Sequence, residues 1–381
     1  MRRRTLCLAA LALVTAIGLP AHADGNGDGD GNGHGHGHAY GHDKPRHTDD
    51  LPACTGDPSQ YSLLAFTSGG QQASALVTFP RSTPRGIVVF DHGYSHTMYS
   101  WTRHMARTSQ QLGVITVTPD YRGQVDTFNG PSLPSSRGWR VAEGAVDTNT
   151  VVQLLDRTCF DRKASANAHN VIYSVSMGGN TAGLALAAKP LRQGGRPLYD
   201  QWVDVEGAAN VTETYLGARV LAPANTFAAH AVADIEQEMG GPLERRPSAY
   251  AERTVVNRTA EIAASGITGV VMVHGYADGL VTHDISRQLQ VLLRARGVPV
   301  DFRSFVTHSA SSESGTTIDG YLPTGLDSPF AGHASEVSET QDVGVEGFRA
   351  LSQIYSGYRI TSRDRVTDGA TGKSMSVGSQ L

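Results

Sequence analysis

The sequence is short of positive charge, of long apolar runs, of cysteine and of phosphate-binding loops, and each shortage excludes something. Lys and Arg number 32 against 36 Asp and Glu, a formal charge of −4. Three of those arginines, Arg2, Arg3 and Arg4, lie in an N-terminal segment expected to be removed, which takes the charge to −7. A mildly acidic chain has no electrostatic grip on nucleic acid or anionic lipid, so neither is expected as a partner. The one long apolar run, Leu6–Leu19, is too short and too closely followed by Asp and Gly to span a bilayer well. No stable membrane insertion is expected. The glycines after Ser176 follow a serine turn and do not spell G-x-G-x-x-G, so no dinucleotide or nucleotide cofactor is implied. Cysteines number three. Cys7 falls in the removed segment, and the remaining pair, Cys54 and Cys159, in an exported chain reads as a disulfide.

What is present begins with an address. Arg2–Arg4, the apolar run and Ala21-His22-Ala23 together read as a signal peptide over 1–23, cleaved before Asp24. Arg3-Arg4-Thr5-Leu6 also fits a twin-arginine signal loosely, and the export route stays open. The expected location is extracellular. Residues 24–50 are Gly, His, Asp and Asn with almost nothing apolar. Such a segment cannot bury enough surface to offset its ordering entropy. His34, His36, His38 and His42 stand there in Gly spacing and offer loose metal chelation, but a flexible leader is the reading preferred. The tail, 359–381, is polar and is also read as flexible.

Between leader and tail, 51–358 alternates strand and helix. Ser62–Phe66 and Ala73–Phe79 flank Gly69-Gly70 as an antiparallel pair. Short β-branched runs follow at Gly86–Phe90, Val114–Thr118, Val171–Val175, Trp202–Val205, Gly269–Val273 and Val300–Val306. Helical patterns sit between them at Met98–Leu112, Val141–Arg157, Met177–Ala188 and His283–Arg296, with a closing helix near Val345–Tyr355. The expected fold is α/β, a mainly parallel central sheet flanked by helices. Residues 210–265 interrupt the rhythm with helix-like stretches at Phe227–Glu238 and Ala249–Ala264. An insert there would sit over the carboxyl edge of the sheet, where ligands bind in open α/β folds, and reads as a small helical lid.

Three strand ends carry chemistry. Val171-Ile172-Tyr173-Ser174-Val175-Ser176-Met177-Gly178-Gly179 is a buried strand, a tight turn and an Ala/Gly-rich helix. A serine on that turn stands clear of the sheet beside a helix N-terminus whose N–H groups favour an anion. Ser174 occupies the place of the first glycine of G-x-S-x-G. Phe90-Asp91-His92-Gly93-Tyr94 ends an earlier strand. There the Tyr94 N–H, with that of Met177, would face the oxyanion of a tetrahedral intermediate. Val271–Gly279 ends in Asp278, a carboxylate able to orient a histidine, or a plain turn residue before Gly279. Arg122 and Glu206, also at strand ends, read equally as substrate contacts or structural ion pairs. Trp101, Tyr94 and Trp139 read as pocket lining or as packing.

Together these motifs resemble the α/β-hydrolase superfamily over roughly 60–358. Tyr250–Val281 is similar to the dienelactone-hydrolase and prolyl-oligopeptidase branches. The resemblance implies an α/β-hydrolase fold with Ser176 as nucleophile, Asp278 as acid and the Tyr94 and Met177 backbone as oxyanion hole. The base is open between two histidines. His333, in Gly332-His333 before the closing helix, is preferred over His308, which directly follows the last strand run. The implied reaction is two-step acyl transfer needing no cofactor or metal. A small-molecule carboxylic ester is the expected substrate, because only 51–85 precede the first central strand, too few for a substrate-anchoring propeller. A secreted peptidase with the same triad is the alternative. A non-catalytic or metal-binding protein on this fold is the alternative of another class.

Overall fold

The computed structural model describes residues 54–122, 138–276, 278–306, 333–369 and 371–377. The expected signal peptide and leader lie outside the described residues.

Each short apolar run anticipated as a strand forms one. β1 (Ser62–Ser68) and β2 (Gln71–Thr78) pair antiparallel across Gly69-Gly70, and both glycines take the positive φ such a turn demands. Then come β3 (Ile87–Asp91), β4 (Ile115–Asp120), β5 (Val171–Val175), β6 (Gln201–Val205), β7 (Gly269–Gly275) and β8 (Val300–Val306). Two later strands, β9 (Arg363–Asp368) and β10 (Ser374–Val377), extend the sheet. The order is β1-β2-β4-β3-β5-β6-β7-β8-β9-β10. Neighbours from β4 to β9 are parallel, while β1, β2 and β10 join antiparallel at the two edges.

Period-2 alternation divides the apolar side chains between two cores. Ile87, Val89, Ile172, Val270 and Met272 enter one, while Val88, Phe90, Tyr173, Val271 and Val273 enter the other. Helices cover both faces. On the first face pack α2 (Val141–Cys159), α4 (Met177–Ala187) and α9 (His283–Ala295). α1 (Thr102–Leu112) follows a 3-10 turn at Met98–Trp101, and α3 (Arg162–Asn167) follows α2. α1 packs on the second face with α10 (Asp342–Tyr355).

Between β6 and β7 run α5 (Val211–Leu221), α6 (Thr226–Met239), α7 (Pro247–Arg253) and α8 (Thr259–Ala264). Two asparagines start the first two of these helices. The Asn210 side chain accepts the Glu213 N–H and that of Asn225 accepts the Ala228 N–H, which satisfies donors a helix start leaves orphaned. α6 stops where Gly240 takes a left-handed conformation. Among the described residues no helix is long and apolar enough to cross a membrane.

The strand order reverses at β3, whose neighbours β4 and β5 are reached by connections running to opposite sides. In open parallel sheets that reversal leaves a crevice at the carboxyl edge. The motifs ending β3 and β5 open into it.

The tail corrects an expectation. Residues 363–368 and 374–377 form β9 and β10 where a flexible segment was read. The arginines that made the tail look soluble are the reason it docks. Asp301 on β8 is buried and receives Arg363 Nε at 3.0 Å and Arg365 Nη2 at 3.2 Å, beside Arg303 Nη2 at 2.7 Å. Burial opposes ionisation of Asp301, but these guanidiniums hold its carboxyl below the usual range.

Cys54 and Cys159 are joined, their Cα atoms 5.5 Å apart and 105 residues apart in sequence. The bond ties the first described residue to the end of α2. In the chain-entropy model a loop of about 100 residues gains roughly 4.7 kcal/mol from such a cross-link. Reduction, or Cys54→Ser with Cys159→Ser, is expected to lower unfolding stability by about 2–5 kcal/mol. Denaturant unfolding with and without reductant reads the difference, and superimposable curves would contradict it.

Candidate active site

Ser176 terminates β5 and caps α4 with φ 55° and ψ −125°. A non-glycine residue there is strained, and the surrounding chain must hold it. Small neighbours make the turn possible. A Cβ on Gly178 would collide with the Asp91 carbonyl, and one on Gly179 would meet Asp204 Oδ1 at 2.5 Å. Ser174 belongs to the support of this turn. Its Oγ accepts from Trp202 Nε1 and donates to Asp204 Oδ1, each at 2.8 Å. A hydroxyl at this place, where the motif usually has glycine, thus anchors β5 to β6. Burial pushes the Asp204 carboxyl up to about 6.

The loop after β3 lies against the serine. A Cβ on Gly93 would stand 3.2 Å from Ser176 Cβ. Of the two candidate oxyanion donors, Tyr94 follows Gly93 in this loop and Met177 is the first residue of α4. The first N–H groups of a helix have no intrahelical acceptor. Tyr94 is also held by its ring, whose hydroxyl donates to Asp234 Oδ2 on α6 at 2.7 Å.

Asp278 follows β7 and is fixed by its own turn. Its Oδ1 accepts the Leu280 and Val281 N–H groups, both at 2.9 Å. Its Oδ2 lies 2.8 Å from His333 Nδ1. Burial works against ionisation of Asp278, yet His333 and His274 beside it hold its carboxyl well below the usual carboxylate range. With Nδ1 donating to Asp278, Nε2 is the His333 nitrogen able to take a proton. Ser176 and His333 line one cavity. The structure thus brings Asp278 to His333, and His333 and Ser176 to a shared wall. His308 and Gly332 lie outside the described residues.

The remaining candidates separate cleanly. Arg122 forms an ion pair with Asp147, Nε to Oδ1 at 2.5 Å, and is structural. Tyr94 and Trp139 line the cavity, whereas Trp101 stacks on Phe90 at 4.9 Å in the opposite core. Glu206 is buried beside His333.

Sequence reasoning missed two residues of the cavity wall, Glu336 and His96. Glu336 Oε1 accepts the Gly93 N–H and Oε2 pairs with His96 Nδ1 at 2.7 Å. Although burial opposes it, His96 and the Gly93 N–H hold the Glu336 carboxyl below its ordinary value. The pair joins the loop carrying His333 to the loop carrying Tyr94. Its only sequence signal is the place of Glu336 three residues after His333.

The cavity has a volume of about 220 Å³. Ser176, His333 and Glu336 stand with Gly93 and Tyr94 among its lining, and α5 and α6 supply Ala218, Leu221, Phe227 and Ala231. Leu280, Val281 and Ile285 add further apolar surface.

No protein-family model matches the chain, and no curated protein matches it. Solved structures do. A puromycin hydrolase matches with a TM-score of 0.53 and 16% identity, covering 78% of this chain and 39% of its own. A puromycin-hydrolyzing peptidase from Mycobacterium tuberculosis gives 0.53 and 15%, covering 80% and 43%. An acylaminoacyl peptidase in complex with Z-Gly-Gly-Phe-chloromethyl ketone gives 0.52 and 13%, covering 80% and 42%. The chain therefore spans about two fifths of the length of these three proteins. At such identities the likeness is one of fold, and it agrees with the strand order and layers described above: the chain has the α/β-hydrolase fold.

Proposed function

We propose that the protein is an exported serine hydrolase that cleaves small carboxylic esters through an acyl-enzyme on Ser176. The observation that carries this reading is the hydrogen bond from His333 Nδ1 to Asp278 Oδ2, with His333 and a strained Ser176 lining the same apolar cavity. In the proposed reaction His333 Nε2 takes the Ser176 proton as Oγ attacks the ester carbonyl. The Tyr94 and Met177 N–H groups receive the oxyanion. The proton then passes to the departing alcohol, and water repeats the sequence on the acyl-enzyme. Asp278 keeps Nδ1 protonated and offsets the imidazolium charge.

The cavity sets the scale of the substrate. A dry cavity of about 150 Å³ is enough to hold benzene. One of about 220 Å³ has room for a ring or a short acyl chain. Export is supported by the N-terminal address and by the Cys54–Cys159 bond, since disulfides persist in oxidising compartments.

The rival is a peptidase with the same triad, favoured by the activities for which the matched structures are named. Amide cleavage needs protonation of a poor leaving group and firm anchoring of the peptide. On the ester reading, kcat/KM for short-chain aryl esters exceeds that for matched aminoacyl anilides by about 10²-fold or more, a margin of about 2.7 kcal/mol in transition-state stabilisation. Parallel assays on the purified protein decide it, and a preference for the anilides transfers the assignment to the peptidase.

A further inference from the structure

The turn after β6 sets a second carboxylate beside the candidate base. Glu206 is fully buried and has φ 52°, a strained conformation for a glutamate. Its Oε1 accepts the Gly275 N–H at 2.9 Å, and its Oε2 accepts the Ala334 N–H. Those two bonds tie it to the strand that precedes Asp278 and to the residue that follows His333. Oε2 also stands 3.5 Å from His333 Nδ1, the nitrogen that Asp278 Oδ2 contacts at 2.8 Å. Carboxylate oxygens of Glu206 and Asp278 come within 4.8 Å of each other.

Two buried carboxylates so close repel unless one takes a proton or positive charge joins them. His274, the third member of this cluster, lies against Asp278, its Nε2 3.3 Å from Oδ2. Its Nε2 donates to the Val281 carbonyl at 2.8 Å, and its Nδ1 shares a hydrogen bond with the Ser286 hydroxyl at 2.7 Å. His333 is different, because it becomes an imidazolium each time Ser176 is deprotonated. We infer that Glu206 is a positioning residue which, with Asp278, forms a two-carboxylate cradle for the His333 imidazolium and keeps the ring oriented when Asp278 is neutralised. The inference rests on the hydrolase reading above.

The strain at Glu206 fits this role. The left-handed turn at Glu206 ends β6 and leaves its carboxylate on the His333 loop. Among the described residues, the charged or titratable groups around the ring are Asp278 and His274 from β7 and its following turn, and Glu206 from the end of β6. Glu336 of the same loop is also present, already paired with His96.

The test is the pH dependence of kcat and kcat/KM on an aryl ester for wild type, Asp278→Asn, Glu206→Gln and the double variant. Loss of the only orienting acid of a triad typically costs about 10⁴-fold. With Glu206 in reserve, Asp278→Asn is expected to cost about 10²-fold, and adding Glu206→Gln a further factor of about 10². Glu206→Gln alone is expected to lower kcat about tenfold with KM unchanged. Removing a negative charge destabilises the imidazolium, so the base limb of the profile moves to lower pH, by about half a unit or more. A packing role alone would leave that limb in place. An unmoved limb and kcat, or a double variant no slower than Asp278→Asn, overturns the inference. Should Glu206→Gln not fold, Asp278→Asn decides by itself, since a full loss of about 10⁴-fold leaves no reserve to assign. Activity surviving in Ser176→Ala would instead remove the underlying hydrolase reading, so the two failures are distinguishable.

Discussion

Ser176→Ala is expected to fold like the wild-type protein and to hydrolyse aryl esters at least about 10⁴-fold more slowly. The fold should survive because the serine Oγ is dispensable to it. What holds the turn is backbone: the Ser176 N–H donates to the Val205 carbonyl at 3.2 Å, and the Ser176 carbonyl accepts from Gly179 and Ala208 at 2.9 and 2.8 Å. Alanine keeps all three bonds. The strain of a positive φ is comparable for the two side chains, so the unfolding midpoint should move little. Chemistry is another matter, because no other hydroxyl is carried at the apex of that turn. A residual rate above that of water is compatible with the account, since the oxyanion donors and the cavity remain. Rates near wild type would exclude Ser176 as nucleophile. The appropriate measurement pairs initial rates with thermal unfolding of the same preparation.

The second large effect concerns the base. His333→Ala is expected to lose activity to the same order as Ser176→Ala, while His308→Ala retains most of it. The motive is the 2.8 Å contact between His333 Nδ1 and a buried, ionised Asp278, together with the position of His333 on the cavity wall. Truncating it also leaves Asp278 with His274 alone to offset its charge, so some loss of stability should accompany the loss of rate. That loss would be greatest at neutral pH and above. The depressed Asp278 carboxyl contributes stability above its unfolded value, and this fades as pH falls through the folded one. Measuring both variants at several pH values separates the two effects. A dead His308→Ala beside an active His333→Ala would move the triad.

How far the site could be read from sequence depends on whether the chemistry was local. Ser176 was legible because strand, turn and helix are consecutive in the chain. Asp278 was legible because it closes a β-branched run. His333 could be narrowed only to one of two histidines, because the contact that favours it, to Asp278, joins residues 55 apart. Glu206 drew notice by standing at a strand end, but nothing in its neighbourhood tells an ion pair from a catalytic support. Glu336 and His96 form a pair 240 residues apart and left no local trace. In the fold, the central strands and most helices followed from apolar periodicity. The polar tail did not. Arg363 and Arg365 look like surface residues until Asp301 on β8 is placed opposite them. Helix α5 was also passed over, although Asn210 marks its start, because Val211–Leu221 mixes polar and apolar residues without a long stripe.

The central claim, that Ser176 is an activated nucleophile in an apolar cavity, is tested most directly by covalent labelling. The purified protein is incubated with a fluorophosphonate probe and digested, and the adduct is located by peptide mass spectrometry. One adduct per chain on Ser176, lost in the Ser176→Ala variant and slowed in His333→Ala, is the expected result. A folded wild-type protein that takes up no probe, or carries it on another residue, would contradict the account.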